Sequence, residues 1–183
     1  MKKPIATIVL ILALTCGLVS IVAVKALAQS VGHSDAQVTI IKDNCVTIKS
    51  NLNQLHASDA LLRVNMGQLY ESMLTKLMDK FNSRLSDNHY DNSSFVFVAG
   101  GYSSTLNAFR TDYIDYEKQL SSTIAIDCAS HPNDFYSAVS SARAKRNQVR
   151  SDVVKLNQYL DNYETAVNGF EINYQATHTE AVK

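Results

Sequence analysis

The sequence predicts an all-α protein: an N-terminal membrane helix or signal peptide, followed by an elongated antiparallel three-helix bundle of coiled-coil type that one disulfide staples. Apolar residues from Ile41 to Met73 recur at alternating intervals of four and three, which is the seam of a coiled coil. The chain has no tryptophan, and after residue 28 its only proline is Pro132, so long helices run without interruption. Two cysteines, Cys45 and Cys128, follow the N-terminal segment.

The first 28 residues have the composition of an export segment. Lys2 and Lys3 precede an uncharged run from Pro4 to Val24, which as a helix would be roughly 30 Å long and match a bilayer's hydrocarbon core. Two interpretations stay open for residues 1–28: a retained membrane anchor, or a signal peptide cleaved between Ala28 and Gln29. Both place the rest of the chain outside the cytoplasm, either anchored in the cell membrane or secreted.

The sequence divides the exported part into a linker, a helical body and a tail. Residues 29–33 form the predicted linker, and the body over residues 34–175 is an extracytoplasmic three-helix bundle. Its helices are expected at about 34–86, 95–127 and 132–175. The apolar pattern is lost after residue 175, which predicts a flexible tail over 176–183.

Composition argues against several classes of function. Removing Lys2, Lys3 and Lys25 from the 17 basic residues leaves 14 against 17 acidic ones, which is unsuited to nucleic-acid binding. The histidines share no helical spacing that would hold a metal, so no metal site is expected; they are His33, His56, His89, His131 and His178. No phosphate loop or nucleophile motif is present, so we expect no cofactor and no enzymatic activity.

The two exported cysteines predict a disulfide. Cys16 lies in the N-terminal segment, so Cys45 and Cys128 are the pair that an oxidising compartment would join. The alternative is two separate free thiols. Closing a loop of this length stabilises the fold by about 4–5 kcal/mol in the chain-entropy model.

The first predicted helix starts at a capping box formed by Ser34 and Gln37. One position of its seam is charged, Asp59, and a buried carboxylate there needs a partner. Gly67 is expected to permit close approach of a neighbouring helix. Beyond Met73 the seam shifts by one residue, as a heptad pattern does when it relaxes toward a straight helix. The shifted seam consists of Leu74, Leu77, Phe81 and Leu85.

The second and third predicted helices carry the same alternation. In the second, Phe95 and Ala99 extend the seam backwards, which favours a helix from the start over a bend at Gly100 and Gly101. The third has one charged seam residue, Arg146. Six tyrosines could form an aromatic ligand groove, but their seam positions favour core packing: Tyr102, Tyr113, Tyr116, Tyr159, Tyr163 and Tyr174.

The charged seam residues predict a pair. Asp59 follows Cys45 by 14 residues and Arg146 follows Pro132 by the same number, so both lie roughly 21 Å from one end of parallel helices. A lone pair in an apolar seam penalises slipped registers and acts as a structural pin. The alternative is an anion or ligand site that also includes Arg63, one turn away.

Several motifs resemble uncharacterised exported, membrane-anchored helical proteins of small-genome bacteria. They are the Lys-Lys leader, Asn44–Cys45, Asp59–Arg63, Gly67–Glu71, Phe109–Tyr113 and Asp127–Cys128. The resemblance implies export and a helical fold but no activity. An anchor followed by a helical bundle also looks like the sensor modules of bacterial receptors, although no signalling domain follows.

Two functions are therefore expected. The first is a non-enzymatic scaffold or interaction protein of the bacterial cell envelope that binds other proteins or envelope components through its amphipathic helices. The alternative is a sensor-like bundle that binds a small ligand or anion with Asp59, Arg63, Arg146 and the tyrosines.

Overall fold

The computed structural model describes residues 34–180, and all regular structure in this range is helical. The elements are α1 (Asp35–Asp43), α2 (Cys45–Ser72), a π-helical segment (Met73–Met78), α3 (Asp79–Asp87), α4 (Ser93–Ala125) and α5 (Pro132–Glu180). The predicted anchor or signal peptide and the linker, residues 1–33, lie outside the described residues, as does the end of the tail. Within the described residues, no helix is long and apolar enough to cross a membrane.

The first arm of the bundle consists of α1, α2, the π segment and α3. Its start has the predicted capping box: Ser34 Oγ accepts from the Gln37 amide at 3.4 Å, and the Gln37 side chain accepts from the Ser34 amide at 3.2 Å. Asn44 separates α1 from α2, and its side chain donates to the carbonyl oxygen of Ile40 at 2.9 Å.

The chain reverses twice, so α4 runs antiparallel to the first arm and α5 runs parallel to it. Contacts between the first arm and α5 follow the same order along both elements. Asp59 bonds to Arg146, and further along both elements the Met78 carbonyl oxygen lies near the Tyr163 hydroxyl. The predicted disulfide between Cys45 and Cys128 is confirmed, with Cα atoms 5.6 Å apart, a separation typical of disulfides.

The α5 helix continues through Glu180, beyond the predicted end at residue 175. The α4 helix begins at Ser93, so the glycines at 100 and 101 do not bend the chain. Phe95 and Ala99 are buried, as the backward extension of the seam requires.

Helix α4 is the centre of the bundle because it packs against both α5 and α2, whereas α2 and α5 make little direct backbone contact. The largest core cluster lies toward the α3–α4 turn, and smaller ones lie around Tyr116 and the disulfide. The largest cluster is built from Tyr70, Met78, Leu85, Phe95, Ala99, Tyr102, Leu106, Phe109, Leu156 and Tyr163.

The predicted seam of the first helix is confirmed only in part beyond Asp59: Met66 and Met73 are half-buried against the core, but Leu62 and Leu69 are not. Leu62 and Leu69 are 58% and 44% exposed. The next residue after each is less exposed: Arg63 is half-buried and Tyr70 is buried. Beyond Asp59 the buried face of α2 shifts by one residue, because α2 packs on α4 in this region and makes little contact with α5. The apolar edge that would have met α5 is therefore open.

The second shift of the seam is not a gradual drift but a π segment. It adds a residue to one turn, so Met78 is fully buried and the predicted Leu77 is 52% exposed. Two tyrosine hydroxyls lie near the ends of this segment. The Tyr102 hydroxyl donates to the Tyr70 carbonyl oxygen at 3.1 Å, and the Tyr163 hydroxyl lies 3.1 Å from the Met78 carbonyl oxygen. The Tyr163 hydroxyl also lies 2.6 Å from Asn82 Oδ1, so tyrosines of α4 and α5 contact the chain near both ends of the π segment.

Close helix packing occurs at Gly101 and not at Gly67. A Cβ atom at Gly67 would meet nothing within 4 Å, so the expectation of close helix approach at that residue is wrong. At Gly101 the ring of Tyr159 from α5 occupies the place where a Cβ atom would lie. The α4–α5 contact therefore depends on Gly101.

We predict opposite effects for alanine at the two neighbouring glycines of α4. Gly100 faces open space, so Gly100→Ala should raise the free energy of unfolding by up to about 1 kcal/mol through helix propensity. Gly101→Ala displaces the Tyr159 ring and should give no gain or a loss of about 1 kcal/mol. Urea unfolding of the oxidised protein measures both, and an equal gain in the two variants would contradict the close packing.

Candidate functional site: the cleft between α2 and α5

A bidentate ion pair joins α2 to α5 at mid-bundle. Arg146 donates from Nε to Asp59 Oδ2 at 2.8 Å and from Nη2 to Asp59 Oδ1 at 2.9 Å. The Tyr116 hydroxyl, from α4, donates to Asp59 Oδ2 at 2.7 Å. One carboxylate thus receives hydrogen bonds from both other helices, and the structure brings together the two residues that the sequence pairs.

The two charges of this pair lie in different environments. The side chain of Asp59 is 11% exposed and that of Arg146 is 51% exposed. Burial is the largest influence on Asp59 and raises its pKa, but the hydrogen bonds from Arg146 and Tyr116, with the charge of Arg146, lower the pKa below its ordinary value. Burial, followed by the bond to Asp59, raises the pKa of Tyr116. The carboxylate is therefore held ionised.

A cleft of about 350 Å³ opens between α2 and α5 on the side of this pair that faces the π segment. Helix α4 forms its floor. Its lining residues are Asp59, Leu62, Arg63, Met66, Tyr70, Phe109, Tyr113, Tyr116, Arg146, Asn147, Val149, Arg150 and Val153. The surface is thus apolar and aromatic, with charged groups gathered near the ion pair.

A second cavity of about 160 Å³ lies on the other side of the ion pair, toward the disulfide. Its lining includes Leu52, Leu55 and Arg143, and it shares Tyr116 and Arg146 with the cleft. The Asp59–Arg146 pair therefore divides one groove between α2 and α5 into two compartments.

The structure brings Arg63 to the same cleft. Its guanidinium lies 5.0 Å from the ring centroid of Tyr113, a cation–π contact. The guanidinium does not bond to Asp59; it lies one turn beyond it on the cleft wall. Asp59, Arg146 and Arg63 are thus neighbours, with different partners.

Some of the six tyrosines line the cleft, and others pack in the core. Tyr113 and Tyr116 line the cleft. Tyr102 and Tyr163 lie in the core, Tyr159 packs on Gly101, and Tyr174 is 42% exposed near the end of α5. The cleft is also lined by Tyr70, which lies outside the predicted seam because the buried face of α2 shifts by one residue there.

Within residues 34–180, no group of three or more histidine, cysteine, aspartate or glutamate side chains is placed to hold a metal ion. The nearest histidine–carboxylate approach in the salt-bridge range is His56 Nε2 to Glu117 Oε1 at 3.7 Å.

A buried carboxyl group on α5, that of Asp152, lies near the half-buried Asp112 of α4 and was not foreseen from the sequence. Asp152 is almost fully buried, and its Oδ2 atom has no hydrogen-bond partner among the described residues. Burial raises its pKa most, and the neighbouring carboxyl group of Asp112 raises it further, while Lys155 and Gln148 act in the opposite direction. The neutral form of Asp152 is therefore favoured relative to a carboxyl group in water.

We predict that the ion pair stabilises the protein above pH 4 and loses this effect in acid. Since folding lowers the pKa of Asp59, its stabilisation is present above the unfolded value of about 3.9 and disappears as pH falls through the lower folded value. At pH 7, Arg146→Ala leaves the buried Asp59 with Tyr116 alone and should cost about 1.5–3 kcal/mol. Urea unfolding between pH 2 and 7 measures both effects.

The matched test of this prediction replaces both charges. Asp59→Leu with Arg146→Leu leaves no orphan charge and should recover much of the loss from Arg146→Ala. If Asp59→Ala and Arg146→Ala are mild and additive in a double-mutant cycle, the two side chains do not stabilise the bundle as a pair.

We predict that Asp152→Asn stabilises the protein at pH 7. Folding raises the pKa of Asp152, so ionisation costs stability as pH rises above the unfolded value of about 3.9. Removing the charge should raise the free energy of unfolding by about 1 kcal/mol or more at pH 7, and by nothing at pH 3. Asp161→Asn, at an exposed site on α5, is the control. A gain that persists at pH 3 would argue against relief of charge as its cause.

Comparison with known proteins adds no relative to this description. No protein-family model, curated protein or solved structure matches the chain. The resemblance inferred from the sequence motifs stays an expectation.

Proposed function

We propose that this chain is a non-enzymatic binding protein of the bacterial cell envelope that holds a ligand in the cleft between α2 and α5. The observation that carries the proposal is the cleft itself, whose volume of about 350 Å³ lies in the range of roughly 300–1,000 Å³ common to ligand pockets. Its apolar and aromatic lining, with a few charged groups, is also typical of such sites.

The surroundings of the cleft favour a preformed site. The disulfide between Cys45 and Cys128 joins the first arm to the start of α5, and the Asp59–Arg146 pair joins them again at mid-bundle. Beyond the cleft, Tyr163 packs against the π segment. Because these contacts hold both walls, a ligand would bind with little ordering of the helices.

The chemistry of the lining supports binding in preference to catalysis. Asp59 is the carboxylate of the cleft, and its two oxygens already accept hydrogen bonds from Arg146 and Tyr116. A carboxylate held ionised and fully engaged is poorly suited to accept a proton from a substrate.

We also propose an extracytoplasmic location for the body over residues 34–175. The Lys2–Lys3 leader with its long apolar run supports export, and the disulfide belongs to an oxidising compartment. Residues 1–28 act either as a single-pass anchor in the cell membrane or as a signal peptide removed before Gln29.

A second candidate function is a scaffold that binds other proteins or envelope components. Leu61 and Val64 are exposed on the outer side of α2, three residues apart and therefore on one face. An exposed apolar helix face is one mode by which helical proteins engage partners. This function does not require the cleft.

The cleft proposal predicts different outcomes for tryptophan at two adjacent valines of α5. Val153 lines the cleft, so Val153→Trp should fill it and abolish ligand retention, and thermal unfolding shows whether the fold is intact. Val154 is exposed and is not part of the cleft lining, so Val154→Trp should retain the ligand. Native mass spectrometry of each protein isolated from its own cells detects a bound mass. Equal retention by both variants, or bare protein in both and in the wild type, would overturn the cleft as the binding site.

A further inference from the structure

The charge of the cleft is opposite to that of the body. The charged residues in its lining are Asp59, Arg63, Arg146 and Arg150. Arg146 is paired with Asp59, and in residues 34–180 no carboxylate lies within 4.0 Å of the guanidinium of Arg63 or Arg150. The cleft thus has an excess of two positive charges, although the chain after residue 28 has more acidic than basic residues.

Arg63 and Arg150 lie on opposite walls of the cleft, at corresponding positions of α2 and α5. Arg63 follows Asp59 by four residues on α2, and Arg150 follows Arg146 by four residues on α5, so each lies about one helical turn beyond the ion pair. The ring of Tyr113 supports Arg63 against the floor. An anion between two such groups would relieve their mutual repulsion and accept hydrogen bonds from both.

Beyond the arginines the cleft is apolar. Met66 and Tyr70 continue along α2, Phe109 forms the floor and Val153 lies on the α5 wall. From Arg63 to Tyr70 is roughly 10 Å along the helix, so the apolar part is a slot parallel to the helices. At about 350 Å³, the cleft lies at the lower end of the range of roughly 300–1,000 Å³ common to ligand pockets, which favours a ligand of modest size.

We propose that the cleft binds a single-chain amphiphile with a carboxylate head, a fatty acid of medium length. Its head lies between Arg63 and Arg150, and its chain runs past Met66 toward Tyr70 and Val153. The inference rests on the proposed function, because it names the ligand class of that cleft. The excess of positive charge at one end of the cleft and the apolar lining at the other favour this chemistry over a free inorganic anion and over an uncharged lipid.

The test is photolabelling of the full-length chain in membranes of cells that produce it, with a decanoate analogue carrying a diazirine at its methyl end. We expect saturable labelling of peptides that contain Tyr70 or Val153. Unlabelled decanoate should compete, whereas 1-decanol and inorganic phosphate at the same concentration should not.

Matched variants assign the head and the chain. Arg63→Gln and Arg150→Gln should each raise the half-saturating concentration by about tenfold, since each removes a charge-assisted contact. Arg143→Gln, at an exposed arginine that lines the smaller cavity instead, should leave it unchanged. Circular dichroism and thermal unfolding of each variant establish that the fold is intact.

The outcomes separate this inference from the proposed function. Equal competition by 1-decanol, or saturation unaffected by both arginine variants, overturns the carboxylate head. If Val153→Trp still abolishes labelling in that case, the cleft remains a binding site. Labelling that is not saturable or is spread along the chain overturns the fatty-acid inference, and the ligand retention test with Val153→Trp and Val154→Trp then decides the proposed function independently.

Discussion

The Asp59 carboxylate is the constraint on which the middle of the bundle depends. It accepts hydrogen bonds from Arg146 on α5 and Tyr116 on α4, so one group fixes the relative position of three helices. A slipped register would leave this carboxylate buried without donors, which costs several kcal/mol. The same pair also spans the gap between α2 and α5, and for this reason the gap is a bounded cleft instead of a continuous groove.

Beyond Asp59, the apolar edge of α2 is left exposed. Leu62 and Leu69 follow the heptad pattern of a buried seam, yet they are exposed because α2 packs on α4 beyond Asp59 and leaves α5. Exposed apolar surface forgoes about 25 cal/mol per Å² of stabilisation. A ligand with an apolar chain would recover part of this by covering the cleft wall at Leu62 and Met66.

The two buried carboxylate sites of the bundle have opposite electrostatics. Asp59 has a cation and a hydroxyl donor, so its ionised form is favoured and its pKa is lowered. Asp152 is buried and lies near another carboxyl group, that of Asp112, so its neutral form is favoured and its pKa is raised. Acid therefore weakens the α2–α5 contact while it relieves repulsion between α4 and α5. The mid-bundle contacts respond to pH in opposite directions.

The sequence by itself determined the helical fold, the disulfide and the Asp59–Arg146 pair, because periodicity, the cysteine count and equal spacing from the two ends are properties of one chain. It did not determine the cleft, Tyr70 in its lining or the Asp112–Asp152 pair. The cleft and Tyr70 depend on the direction in which α2 packs beyond Asp59, and the approach of Asp112 to Asp152 depends on how α5 packs on α4. Packing against α4 decides both, and a heptad pattern is compatible with a partner on either side of the helix.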